Sequence, residues 1–314
     1  MTRSVASHGK TSSSAAATAC RSCPRECSVD RAQGASGYCR SGAGLEIASI
    51  CLHRGEEPVI SGEHGICNVF FSHCNLQCVY CQNFQISRND TPARGMTLDD
   101  AVSAVARLID GGAGAVGFVS PSHMIAQMRE IVDGLHARGY RPTIVMNTNA
   151  YDKADVIAAL AGVVDVYLPD FKYIDHSLAL ELSGAWDYPE VARAALREMR
   201  RQKGPELVLK DDGTASSGLV VRHLIIPGHV ENSKGVLRAI AEDLSPSVHV
   251  SLMSQYYPPP AVARHPWLGR TISRAEYDAL IEELERLGFE RGWVQELESQ
   301  ESYRPDFTKP DPFE

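Results

Sequence analysis

No stretch of this sequence is apolar over the about 20 residues that a membrane-crossing helix requires, so no membrane span is expected. Basic charge is also scarce. Lys and Arg number 31 against 39 Asp and Glu, a formal net charge of −8, which argues against a nucleic-acid binder with a basic face. The cysteines are not even in number. There are nine in 314 residues, whereas a disulfide framework favours even numbers in a short secreted chain. At least seven of them fall in ligand-like groups, which suits a reducing compartment, read here as the cytoplasm. Residues 1–19 contain no acid and no apolar signal-peptide core, and they read as a disordered tail. There is no internal repeat beyond an alternation of strand-like and helix-like runs.

What the chain does have is the run Cys74-Asn-Leu-Gln-Cys78-Val-Tyr-Cys81. Cysteine thiolates are the usual ligands of iron–sulfur clusters. Three of them fill three corners of a 4Fe–4S cube and leave the fourth iron open for chemistry. Zinc sites favour two C-x2-C pairs, and disulfide knots favour even counts, so neither matches as well. The C-x3-C-x2-C spacing, with Tyr80 just before the last cysteine, resembles the motif of the radical S-adenosylmethionine (radical SAM) enzymes. That resemblance implies a 4Fe–4S cluster whose open iron chelates S-adenosylmethionine (SAM). It further implies reductive cleavage of SAM to a 5′-deoxyadenosyl radical that abstracts hydrogen from a substrate.

Hydrophobic runs at 66–72, 115–120, 142–147, 163–168, 219–226 and 248–253 read as buried strands. Helical periodicity lies between them, near 97–109, 122–138, 153–161, 187–202 and 233–242, with a last helix from Ser273 to Gly288. Thr97 with Asp100, and Ser273 with Glu276, mark helix starts. Residues 206–221 read as a hairpin leading into the fifth barrel strand. This alternation predicts an α/β fold with a parallel sheet. Six units form a partial (β/α)6 TIM-like barrel of radical SAM type, with a small cysteine-rich segment before it. The expected organisation is a tail at 1–19, a cysteine-rich segment and irregular lead-in at 20–65, the barrel at 66–290 and a C-terminal tail at 291–314. Barrels of this kind place their chemistry at the C-terminal ends of the strands, and the cysteine run follows the first strand directly.

The runs His53-Arg-Gly-Glu56-Glu57-Pro58, Phe70-Phe-Ser72, Cys81-Gln-Asn83, Arg222-His-Leu224 and Met253-Ser-Gln255-Tyr256 narrow the resemblance. They are similar to the branch containing the pyruvate formate-lyase activating enzyme. By that resemblance Asp170 and Lys172 hold the ribose hydroxyls of SAM, a carboxylate accepting and an ammonium donating. Arg222 meets the methionine carboxylate with its planar fork. Read from the residues alone, the first two are also an ion pair at a strand end, and Arg222 an arginine packed across the barrel mouth. Relatives end the second strand in Gly-Gly-Glu, which meets the SAM amine. Here the run is Phe118-Val-Ser120-Pro-Ser-His123, which leaves that contact to Ser120 and the backbone. Asn147-Thr-Asn149 resembles an Asp-Thr-Asn run at a cation site, which a neutral Asn147 would weaken. Tyr80 is expected near the adenine.

No general acid–base pair is evident, and no catalytic side chain is assigned. His53 and His223 are the histidines that fall in family-like runs, and Glu56 and Glu57 either position substrate or cap the lead-in. The resemblance implies a flavodoxin- or ferredoxin-type electron donor, and either a glycyl radical enzyme as target or a small molecule or peptide substrate. A protein target asks for an open groove at the barrel mouth, and a small molecule asks for a lid. The remaining alternative is a non-catalytic zinc or redox module. Upstream, Cys20-x2-Cys23-x3-Cys27-x11-Cys39 supplies four thiolates, enough for zinc or for a second 4Fe–4S cluster. Cys51 and Cys67 stand outside both groups and read as packing residues.

Overall fold

Strands that are apolar at every position belong in a sheet covered on both faces. The computed structural model describes residues 19–301 and 304–313, and the expected tail lies outside them except for Ala19. In chain order come β1 (Leu45–His53), α1 (Pro58–Ser61), β2 (Ile66–Phe71), α2 (Phe84–Ser87), β3 (Gly95–Met96) and α3 (Leu98–Asp110). Next are β4 (Ala115–Val119), α4 (Ile125–Ala137), β5 (Thr143–Thr148), α5 (Ala154–Ala158), β6 (Val166–Pro169), α6 (His176–Ser183) and α7 (Tyr188–Lys203). The chain continues with β7 (Val208–Leu209), β8 (Ala215–Leu224), α8 (Val230–Asp243), β9 (His249–Met253), α9 (Arg274–Arg286) and β10 (Gly292–Val294).

The six expected strands are β2, β4, β5, β6, β8 and β9, adjacent in that order and all parallel. The sheet is open, running from β10 at one edge to β1 and β3 at the other. It is the partial barrel that the alternation predicts. The expected hairpin is β7 against β8.

Side chains alternate across each strand, and the two faces differ. Val116, Phe118, Ile144, Met146, Tyr167 and Val221 join Val102, Val105, Ile131 and Leu196 of the helices in one core. The alternate residues Ile66, Ala115, Val145, Val166 and Val220 form a second apolar cluster with Ile60 of α1. Two residues further along these inner rows stand Asn68, Gly117, Asn147 and Arg222, with Leu168 on β6 still part of the apolar cluster. The interior is therefore apolar at the start of the strands and polar towards their C-terminal ends.

Three elements depart from the sequence reading. The lead-in contains β1, antiparallel to β2, and an irregularity between Ile47 and Ser49 breaks the alternation by which it would be recognised. Helix α6 is only eight residues long, and β10, at three residues, is too short for a periodic signal. The helix starts were legible. In α9, Ser273 accepts from the Glu276 amide and Glu276 accepts from the Ser273 amide. Ser273→Ala should cost about 1 kcal/mol, read as a lower midpoint in urea denaturation. A midpoint equal to that of the parent would contradict a stabilising cap.

Candidate functional site

The C-terminal ends of the parallel strands surround a cavity. Its wall includes Cys74, Cys78, Tyr80 and Cys81 from the loop after β2, Ser120 after β4, Asn147 and Asn149 at β5, Asp170 and Lys172 after β6, and Arg222 on β8. Every cofactor residue expected from the sequence and all three cysteines of the motif thus line one space. The four upstream cysteines do not. Left-handed backbone in non-glycine residues recurs at this end, at His73 (φ 69°), Ser120 (φ 48°) and Ala150 (φ 61°). Such backbone concentrates where function constrains the chain.

Each thiol meets a donor. Cys74 Sγ accepts from the Leu76 amide at 3.4 Å and from Asn149 Nδ2 at 3.4 Å. Ser183 Oγ donates to Cys78 Sγ at 3.0 Å, and Ser87 Oγ to Cys81 Sγ at 3.2 Å. Burial pushes the Cys74 thiol up to about 12 and that of Cys78 up to about 11. Such thiols are neutral near pH 7 until a coordinating cation deprotonates them. Tyr80 is buried, and its hydroxyl pairs with that of Tyr173 at 2.6 Å.

A charge network forms the deep side of the cavity. Arg222 donates from Nε to Asp170 Oδ1 at 2.8 Å, from Nη1 to Glu56 Oε2 at 3.0 Å, and from Nη2 to Asn147 Oδ1 at 2.6 Å. Lys172 Nζ donates to the second Asp170 oxygen at 2.8 Å. Burial works against the Asp170 charge, but Arg222 and then Lys172 outweigh it and hold the carboxyl below its ordinary range. Glu56 also accepts from Asn68 at 3.0 Å. A Cβ on Gly117 would collide with that Asn68 oxygen, so glycine keeps the route open. Glu57 is buried, and burial raises its carboxyl against the pull of the Arg222 charge.

This network sets the surroundings in which two of the expected contacts would form. The charge already at Asn147 is the Arg222 guanidinium, which takes the side-chain oxygen a cation would have used. The Arg222 fork is itself engaged by two carboxylates, so an incoming carboxylate must share it with Glu56. Of the two histidines, His53 lines the cavity and its ring lies 3.9 Å from that of Phe313. His223 is outside the cavity lining, donating from Nδ1 to the Phe171 carbonyl at 2.7 Å.

The C-terminal segment was missed as a wall. Pro305 and Phe313 line the cavity, Phe307 and Phe313 pack on Phe70, and Gln85 bonds both Asp306 and the Phe307 amide. Its sequence signal was two phenylalanines in a proline-rich stretch with no periodicity. Ser183 had none, because it arrives on α6.

The model of the radical SAM superfamily matches residues 68–240, more than half of the chain. The chain belongs to the radical SAM superfamily. A relative, an uncharacterised protein of Methanocaldococcus jannaschii, is 27% identical over 276 residues, covering 85% of this chain and 74% of that protein. Among solved structures, the FeFe-hydrogenase maturase HydG is similar in fold, with a TM-score of 0.52 at 11% identity, over 72% of this chain and 50% of HydG. HydG of Carboxydothermus hydrogenoformans gives 0.50 at 13% identity, over 72% of this chain and 52% of that one. This radical SAM chain spans about half the length of each.

Membership implies a 4Fe–4S cluster and SAM as cofactors. The donor set fits them: three thiols, each facing an N–H or O–H that favours a thiolate, beside charged groups suited to a zwitterionic nucleoside. Among the described residues no three His, Cys, Asp or Glu side chains converge closely enough to bind a single ion.

Removing Asp170 would leave two cations facing each other at the cavity wall. Asp170→Ala should therefore destabilise the chain by about 3 kcal/mol, measured in urea. A loss below about 1 kcal/mol, the worth of an exposed pair, would show that the network does not hold the fold.

Proposed function

We propose that this enzyme cleaves SAM reductively at a cluster held by Cys74, Cys78 and Cys81, and so abstracts hydrogen from a substrate in the cavity. The observation that carries this reading is the gathering of those three thiols, with no fourth cysteine among the described residues of the wall, beside Asp170, Lys172 and Ser120. A cluster held by these thiols, with SAM bound beside it, would supply reductive cleavage of the sulfonium C–S bond and through it the hydrogen-abstracting power. Asp170 accepts from the ribose hydroxyls, and Lys172 holds Asp170 charged while donating alongside it. Ser120 takes the amine, and Arg222 shares its fork between Glu56 and the methionine carboxylate. Leu76, Val119, Leu224, Met253 and Phe313 keep the space apolar around these groups, which protects a reactive radical from water. The electron comes from a flavodoxin- or ferredoxin-type donor in the cytoplasm, where all nine free cysteines remain reduced.

Two targets fit this chemistry. Activation of a glycyl radical enzyme, as in the pyruvate formate-lyase activating branch, needs an open mouth to admit a backbone glycine. The segment carrying Pro305 and Phe313 instead covers part of the cavity, which favours a small molecule or short peptide.

The test is anaerobic: reduce the iron-loaded chain with dithionite, add SAM and quantify 5′-deoxyadenosine. The parent should form it, and a variant with Cys74, Cys78 and Cys81 changed to Ala should form none above background. An iron-loaded parent that binds SAM yet yields no deoxyadenosine would contradict the reading. Phe313→Ala should raise deoxyadenosine formation without substrate severalfold by admitting water. An unchanged rate would remove the segment as a cover and return the protein target to first place.

A further inference from the structure

The four upstream cysteines take no part in the cavity, yet the chain gathers them deliberately. Cys20 N donates to the Val29 carbonyl at 2.8 Å and the Ser28 amide returns to Cys20 O at 3.0 Å, which folds Cys20 back beside Cys27. A turn closed by the Glu26 amide on Cys23 O at 3.1 Å lies between them. Gly37 passes directly under Cys27: a Cβ there would sit 2.8 Å from both Cβ and Sγ of that cysteine. Only glycine permits this approach, and it delivers Cys39 to the group two residues later. Cys23 and Cys39 are buried within this group. All four are free of disulfides.

Donors are aimed at this group as they are in the cavity. The Tyr38 amide donates to Cys27 Sγ at 3.2 Å, and Arg31 Nη2 to Cys39 Sγ at 3.1 Å. The unit is also fastened to the loop bearing Cys74. Arg25 Nε donates to Asn75 O at 3.0 Å, and Asn89 bridges the Tyr38 carbonyl at 2.8 Å to the Cys74 amide at 3.2 Å.

We propose that Cys20, Cys23, Cys27 and Cys39 hold a second 4Fe–4S cluster. Three near cysteines and one distant one follow the iron–sulfur pattern, in which a close trio is completed from afar. Zinc ribbons use two separated pairs. The four ligands close the set, so this cluster has no open iron for SAM and serves electron transfer or the anchoring of the Cys74 loop. The inference is independent of the reading of the cavity.

Iron, sulfide and zinc are to be counted in the anaerobically reconstituted full chain, in the variant with Cys74, Cys78 and Cys81 changed to Ala, and in Cys20→Ala/Cys23→Ala. The parent should hold about eight irons and each variant about four, without zinc. Circular dichroism checks that the variants fold. If one does not, the parent's count of eight against four still decides. A zinc ion in the triple variant, or a metal-free triple variant beside a four-iron parent, would overturn the second cluster and leave the cavity reading standing. Four irons in both parent and triple variant would support the upstream cluster and sink the one in the cavity.

Discussion

The guanidinium of Arg222 is the point on which the interior of this barrel turns. An open sheet lacks the last ladder of hydrogen bonds that would close it, and here side chains tie the strands together from within. Through Arg222 the end of β8 is bound to Asp170 after β6, to Asn147 on β5 and to Glu56 beyond β1, and through Glu56 to Asn68 on β2. Glu57, buried next to Glu56 in the chain, adds a second carboxyl under the Arg222 charge. Desolvating a charge is costly, and pairing with good hydrogen-bond geometry is what makes it tolerable. The positions of these residues are therefore mutually determined, and so is the shape of the cavity floor they form.

The inner rows explain why the site lies where it does. Ile66, Asn68 and Phe70 follow one another on β2, and Val220, Arg222 and Leu224 on β8, each row passing from an apolar base through the ion layer to the cavity wall. The apolar base gives rigidity, and the ion layer separates it from a site that must accept a charged cofactor. Above it, the cysteine loop is fixed from several sides. Asn149 bonds Cys74 and Asn75, Ser183 reaches Cys78, and Gln82 is tied to Gln255. Preorganised donors around sulfur are the means by which a protein tunes a cluster.

Much of this is legible in the amino-acid sequence. The six parallel strands announced themselves as short apolar runs, and the cavity residues sat at their ends. Asp170, Lys172 and Arg222 were recognised as a group, although not that Arg222 would be engaged by Glu56. That link joins residues 166 positions apart and lies in no local pattern. Strand β1 was hidden by the irregularity near Ile47, and the C-terminal wall by the absence of any period in a proline-rich stretch. What local periodicity encodes could be read. What tertiary packing decides could not.

The central claim is that Cys74, Cys78 and Cys81 hold a cluster with an iron open to SAM. Electron paramagnetic resonance of the dithionite-reduced Cys20→Ala/Cys23→Ala chain, recorded with and without SAM, tests it without requiring any turnover. The account predicts a reduced 4Fe–4S signal whose g-values shift when SAM is added. A signal indifferent to saturating SAM, or no such signal in a folded chain, would contradict it.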